Sequence, residues 1–284
     1  MMLNRKQIIV ITSVLVLFGL MLMLDIQGLV KPGEGEESQS AATTPAPTDA
    51  KSISLEEVSK TSMEGLNASL KSLISDLESQ LKSASDDEKL ELYKKLAQQW
   101  DDVNLTTPSS LYYELIAEKE PNFEAWLKAG DKFTDAYQQS MDTLAQPVLV
   151  QKAINSYQKA DKLKPNTLEV KTGLGIAYVS GTPNPMQGIT LLLDVVKQEP
   201  KNLKANLNLG LFSMKSGQFD KAVERFKTVI EIAPSAEAWF YLASSYESMN
   251  RNADAIAAYL KTKEIAADPN MSQFVDRKIN ELSN

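Results

Sequence analysis

The sequence predicts an all-α protein: an N-terminal transmembrane helix, a flexible linker, then an α-solenoid of about five helical hairpins with a C-terminal capping helix. Three observations predict it. A single uncharged apolar run stands near the N-terminus, small residues recur in paired columns, and each recurrence closes on a proline. The 284 residues include no Cys and no His. This composition excludes disulfides, zinc–thiolate clusters, thiol nucleophiles and every His-dependent catalytic triad. With 30 Lys+Arg against 37 Asp+Glu, the chain lacks the cationic excess that neutralises phosphates, so no nucleic-acid partner is expected.

Residues 8–24 read IIVITSVLVLFGLMLML, with Thr12 and Ser13 the only polar side chains. As a helix the run is roughly 26 Å long, at the short end for a bilayer core. Ile26, Leu29 and Val30 extend its apolar character, so 8–30 is expected to be a transmembrane anchor. A cleaved signal peptide is the competing reading, but no small-x-small cleavage site follows the run. Arg5 and Lys6 precede it and acidic residues dominate after it. The positive-inside bias therefore places residues 1–7 in the cytoplasm and the rest outside, which is the periplasm if the cell is Gram-negative.

Residues 31–52, with Gly33-Glu34-Gly35 and Pro45-Ala46-Pro47, contain no large apolar residue and read as a disordered tether. Residues 53–84 follow as an amphipathic Leu-rich helix. Met63, Leu66, Leu70, Leu73 and Leu77 form a narrow seam spaced by three and four, about two heptads long. Three uses fit such a seam: packing on its own domain, pairing two copies of the chain in a homodimer, or entering a groove, including the chain's own.

Residues 85–284 hold the repeats, at about 90–122, 123–167, 168–202, 203–235 and 236–269, with a capping helix over 271–282. One column runs through Ala97, Gly130, Gly175, Gly210 and Ala243. A second runs through Ser109, Ala153, Gly188, Ala222 and Ala255. Four residues after the second come Tyr113, Tyr157, Leu192, Phe226 and Tyr259. Two helices approach closely only where both lack bulk, so the columns mark the crossing point of a hairpin and the large residues fill the adjoining holes. Pro121, Pro165, Pro200, Pro234 and Pro269 close the units. The second unit carries an 11-residue insertion, which predicts a longer hairpin with Pro147 near its tip.

This pattern resembles the tetratricopeptide repeat family, in particular its membrane-anchored bacterial-type members, over about residues 90–269. Lys171 and Asn206 depart from the family's first aromatic position, Ser213 from its second, and Pro269 sits two residues late. The resemblance implies a superhelix whose concave groove is lined by the first helix of each unit and holds a protein or peptide. It assigns to that groove the acidic Asp131 and Asp135, followed by the apolar Ile176, Val179, Leu207, Leu211, Met214 and Phe240. In the first two units it also implies an acidic surface that includes Asp101. The family's carboxylate-binding Lys/Asn/Arg clamp is not carried over, because Thr172 and Gly173 do not continue what Lys94 and Gln98 begin.

The expected function is therefore a tethered extracytoplasmic scaffold or chaperone-like adaptor in envelope assembly, secretion or cytochrome maturation. No enzyme activity and no cofactor or metal is expected. Two alternatives stand beside it: a structural protein dimerising through the 63–77 helix, and a carboxylate- or metal-dependent enzyme using pairs such as Asp86-Asp87, Asp101-Asp102 or Asp131 and Asp135. Pairs of this kind at helical spacing read more simply as solvated helix surface.

Overall fold

A computed structural model describes residues 53–283. The predicted anchor (8–30) and tether (31–52) lie outside the described residues, and among those described no helix is long and apolar enough to cross a membrane. The described chain is helical throughout its regular structure. Its elements are α1 (Leu55–Met63), α2 (Ala68–Ser83), α3 (Asp86–Asp102), α4 (Thr106–Lys119), α5 (Phe123–Gln139), α6 (Gln146–Leu163), α7 (Leu168–Gly181), α8 (Pro185–Gln198), α9 (Leu203–Lys215), α10 (Phe219–Ile232), α11 (Ala236–Ser248), α12 (Asn252–Ile265) and α13 (Pro269–Ser283). Helices α3 to α12 pair into five successive hairpins.

Residues at the helix ends explain where each hairpin begins and turns. Side chains of Asn122, Asn202 and Ser235 accept the backbone N–H groups of Ala125 (2.8 Å), Ala205 (3.0 Å) and Ala238 (3.1 Å), opening α5, α9 and α11. Glu88 opens α3 by accepting the Ser85 N–H at 2.8 Å in a capping box. Pro121, Pro165, Pro200 and Pro234 hold the residue before each in an extended conformation, with ψ between 73 and 89 degrees, which ends α4, α6, α8 and α10. Pro269 differs, since it forms the first turn of α13 rather than following α12. Within three hairpins the turn passes through a left-handed residue: Asn104 (φ 54), Gly217 (φ 74) and Asn250 (φ 56).

The core lies where the paired helices cross. Ala97, Ala153, Ala222, Ala243 and Ala255 are at most 1% exposed. A carbon added to Gly130, Gly175 or Gly210 would lie 2.6, 2.7 or 2.8 Å from Tyr157, Leu192 or Phe226 respectively. The large residue of each second helix therefore rests on the small column of the first. Unit three is the tightest: at Gly188 the obstacle is backbone, the Gly175 carbonyl oxygen and the Val179 amide nitrogen.

Outside the repeats the chain departs from its expected form in one place. Residues 53–84 make two helices rather than one, broken at Glu64 to Asn67, where Asn67 accepts the Leu70 N–H (3.0 Å) and starts α2 afresh. Ile74, which the expected seam omits, is fully buried, while Leu73 is 43% exposed. Met63, Leu66 and Leu77 join Leu92, Leu96 and Trp100 in the core of the first unit, so this surface packs on its own domain. In the second unit, α5 and α6 run to 17 and 18 residues against 13 or 14 in units three to five. Pro147 lies in the first turn of α6, beside the tip that the exposed Met141 and Leu144 form, as expected. At the C-terminus α13 covers the last hairpin with Met271, Val275, Ile279 and Leu282.

Gly188→Ala is expected to lower stability by about 1–3 kcal/mol, the usual cost of forcing atoms into a filled crossing. Gly65→Ala, whose added carbon meets nothing within 4 Å, is expected to leave stability unchanged or raise it by up to about 1 kcal/mol. Urea unfolding of the two variants checks both.

Candidate binding groove

Because each second helix rests behind its first, the first helices are left facing one another across the inside of the superhelix. They line a groove of about 1610 Å³ running over units two to five. Helix α5 contributes Lys128, Asp131, Lys132 and Asp135. The floor comes from Thr172, Gly173, Ile176 and Val179 of α7 and from Leu207 and Leu211 of α9, and Glu237 and Tyr241 of α11 close the far end. No described segment of the chain lies along this floor: α1 and α2 pack on unit one, and α13 on unit five.

Six of the eight residues expected in the groove line it together: Asp131, Asp135, Ile176, Val179, Leu207 and Leu211. Ile176 is largely turned into the core, at 6% exposure. Met214 and Phe240 do not line it. Both belong to the C-terminal core, where the Phe240 ring packs against Phe274 of the capping helix with centroids 5.8 Å apart. The apolar strip therefore stops at unit four. The family resemblance places Phe240 on the inner face but carries no information about the helix that packs against it.

The expected acidic end also changes. Asp101 is a structural joint rather than a groove residue, accepting Lys132 Nζ (2.6 Å), Ser109 Oγ (2.6 Å) and the Tyr113 hydroxyl (3.0 Å). Burial alone would raise its carboxyl; the three hydrogen bonds and the Lys132 charge outweigh burial and hold it below the ordinary carboxylate value. Asp86, another member of the candidate carboxylate pairs, is paired with Lys89 (3.1 Å) and Lys119 (3.2 Å). Among the described residues no group of three acidic side chains is placed to hold a metal ion. Within the groove, Asp131, Asp135, Glu169, Glu199 and Glu237 are set against Lys128, Lys132, Lys204 and Lys215, so charge is nearly balanced along the walls.

Asp131 ties the groove to the hairpin crossing beneath it. The buried Tyr157 hydroxyl donates to its carboxylate at 2.8 Å, and Lys204 approaches from the opposite wall at 3.9 Å. Burial first, and Asp131 second, push Tyr157 well above its ordinary value, so it remains a fixed donor. One turn further on, Asp135 is crowded by the groove wall and, secondly, by the Asp131 charge, and its pKa is raised from 3.8.

A raised folded-state pKa means that ionising Asp135 opposes folding. The cost is absent below the ordinary value of 3.8 and complete above the raised one. Asp135→Asn is thus expected to be more stable than the parent chain at pH 7, with the difference closing as the pH falls below 3.8. Thermal melts across that range test the sign.

Residues 213–272 match the tetratricopeptide repeat family. No curated protein matches the chain in sequence. Among solved structures, a tetratricopeptide repeat protein from Parabacteroides merdae is 16% identical, with 81% of this chain and 86% of that one covered at a TM-score of 0.54. The MamA protein is 22% identical over 63% of this chain and 92% of its own, at a TM-score of 0.45. YrrB, a tetratricopeptide repeat protein with an unusual peptide-binding site, is 17% identical over 71% and 97%, at 0.43. At 16% identity the likeness to the Parabacteroides protein is one of fold. Residues 213–272 thus carry the tetratricopeptide repeat signature, and the described chain shares the helical-hairpin fold of the Parabacteroides protein.

Proposed function

We propose that the protein is a membrane-tethered scaffold or adaptor that holds an extended or amphipathic segment of a partner protein along its concave groove. The observation that carries this reading is the continuous groove over four units, whose apolar floor of Val179, Leu207 and Leu211 is flanked by walls of both charge signs. An apolar strip left on an inner surface is the usual mark of a docking site. Walls of mixed sign suit a partner with both kinds of charge better than a uniformly cationic or anionic one. Tethering rests on the Ile8 to Leu24 run and on Arg5 and Lys6 before it; in this reading the repeats stand outside the cytoplasm and serve envelope assembly, secretion or cytochrome maturation.

Affinity capture with the full chain, compared with the Leu207→Glu/Leu211→Glu variant, tests the proposal. The charged pair is expected to reduce recovery of a specific partner at least about tenfold, since a carboxylate forced against an apolar face costs more than the roughly 1.4 kcal/mol that a factor of ten represents. A variant that melts like the parent chain and captures the same proteins to the same extent would reject the groove as the binding surface.

A further inference from the structure

The four joints between the five hairpins are not built alike. Units one and two are tied by the Lys132–Asp101 and Lys152–Glu114 ion pairs, both at 2.6 Å. Units two and three are joined by the Tyr137 hydroxyl, which donates to the Ser180 carbonyl, and by the Tyr157 ring seated on Gly173. Units four and five meet through Phe226 stacked on Tyr241, with centroids 5.4 Å apart. The joint between units three and four has none of these devices and is the least closely packed of the four. Its buried cluster of Ile176, Leu192, Val195, Ala205 and Leu209 is aliphatic throughout. Among the described residues, beyond the short turn that links α8 to α9, no side-chain hydrogen bond joins α7 or α8 to α9 or α10. The ion pair that reaches across is Lys204 to Asp131, at 3.9 Å, with the Lys204 side chain 69% exposed.

The sequence explains why this joint is different. Lys171 and Asn206 stand where other units carry Trp126 and Trp239, and Ser213 stands where others carry Trp100, Phe133 or Tyr246. Both polar replacements are used inside their own hairpins: Lys171 pairs with Asp194 at 2.6 Å, and Asn206 accepts from Arg225 at 3.0 Å. In the second-helix column from which Tyr157 and Phe226 reach the next unit, unit three carries Leu192, so no ring of that column crosses into unit four, and the joint is left to helices that can shear past one another.

We infer that the joint between units three and four is a hinge, about which an N-terminal body (α1 to α8) and a C-terminal body (α9 to α13) rotate to widen or narrow the groove. The groove straddles this joint. Val179 lies on one body and Leu207 and Leu211 on the other, while Asp131 and Lys204 face each other from opposite walls. Any occupant that touches both bodies shifts the distribution of openings toward the one it fits. The hinge belongs to the ligand-free chain and stands or falls independently of what the groove binds.

The absence of native Cys allows clean spin labelling of the full chain at exposed positions. Asn155→Cys with Glu224→Cys spans the joint. Glu118→Cys with Asn155→Cys, and Glu224→Cys with Ala257→Cys, each lie within one body. Pulsed dipolar EPR is expected to give a distance distribution for the spanning pair at least about twice as wide as for either internal pair, as hinge motion between rigid bodies requires. A spanning distribution as narrow as the internal ones would overturn the hinge.

Discussion

Everything in this molecule depends on how closely two helices can cross. In each hairpin a small residue on the first helix receives a large one from the second: Tyr157 on Gly130, Leu192 on Gly175, Phe226 on Gly210. This contact fixes the angle and depth of the hairpin, and because it repeats, it also fixes how successive hairpins stack. The concave face is a consequence, since the first helices turn inward only when the second helices sit close behind them. Tyr157 joins the two levels directly. Its ring fills the crossing while its hydroxyl, 2.8 Å from Asp131, orients a carboxylate on the groove wall.

The crossing points could be read from the sequence because they demand small residues at fixed spacing, and few other structures do. The same holds for the proline stops at Pro121, Pro165, Pro200 and Pro234, where backbone sterics act locally. Features that depend on distant partners could not be read in this way. Phe240 stands where the family resemblance puts a groove residue, yet α13 packs against it, and nothing near position 240 encodes that contact. The split of residues 53–84 is an intermediate case. Asn67 is a recognisable helix cap, but the Leu seam running through it masks the break, and the buried Ile74 shows that the true register differs from the one the leucines suggest.

Departures from the repeat pattern turn out to be organised. Lys171, Asn206 and Ser213 all fall in the two units that meet at the aliphatic joint, and the first two have found partners inside their own hairpins. The array therefore has ends locked by rings and ion pairs and a middle held chiefly by aliphatic contact. The softest joint coincides with the centre of the groove, so packing and the proposed recognition are linked through a single location. The capping elements at either end complete the design: α1 and α2 bury the open face of unit one, and α13 that of unit five. The inner surface is what remains for a partner.

The central claim, that the concave face is the working surface, is tested most directly by site-specific photo-crosslinking in cells, with a benzophenone amino acid placed in the full chain at Val179 on the inner wall or at Glu224 on the outer helix α10. The account predicts a discrete crosslinked partner from Val179 and none from Glu224. Crosslinking from Glu224 alone, or equally from both positions, would contradict it.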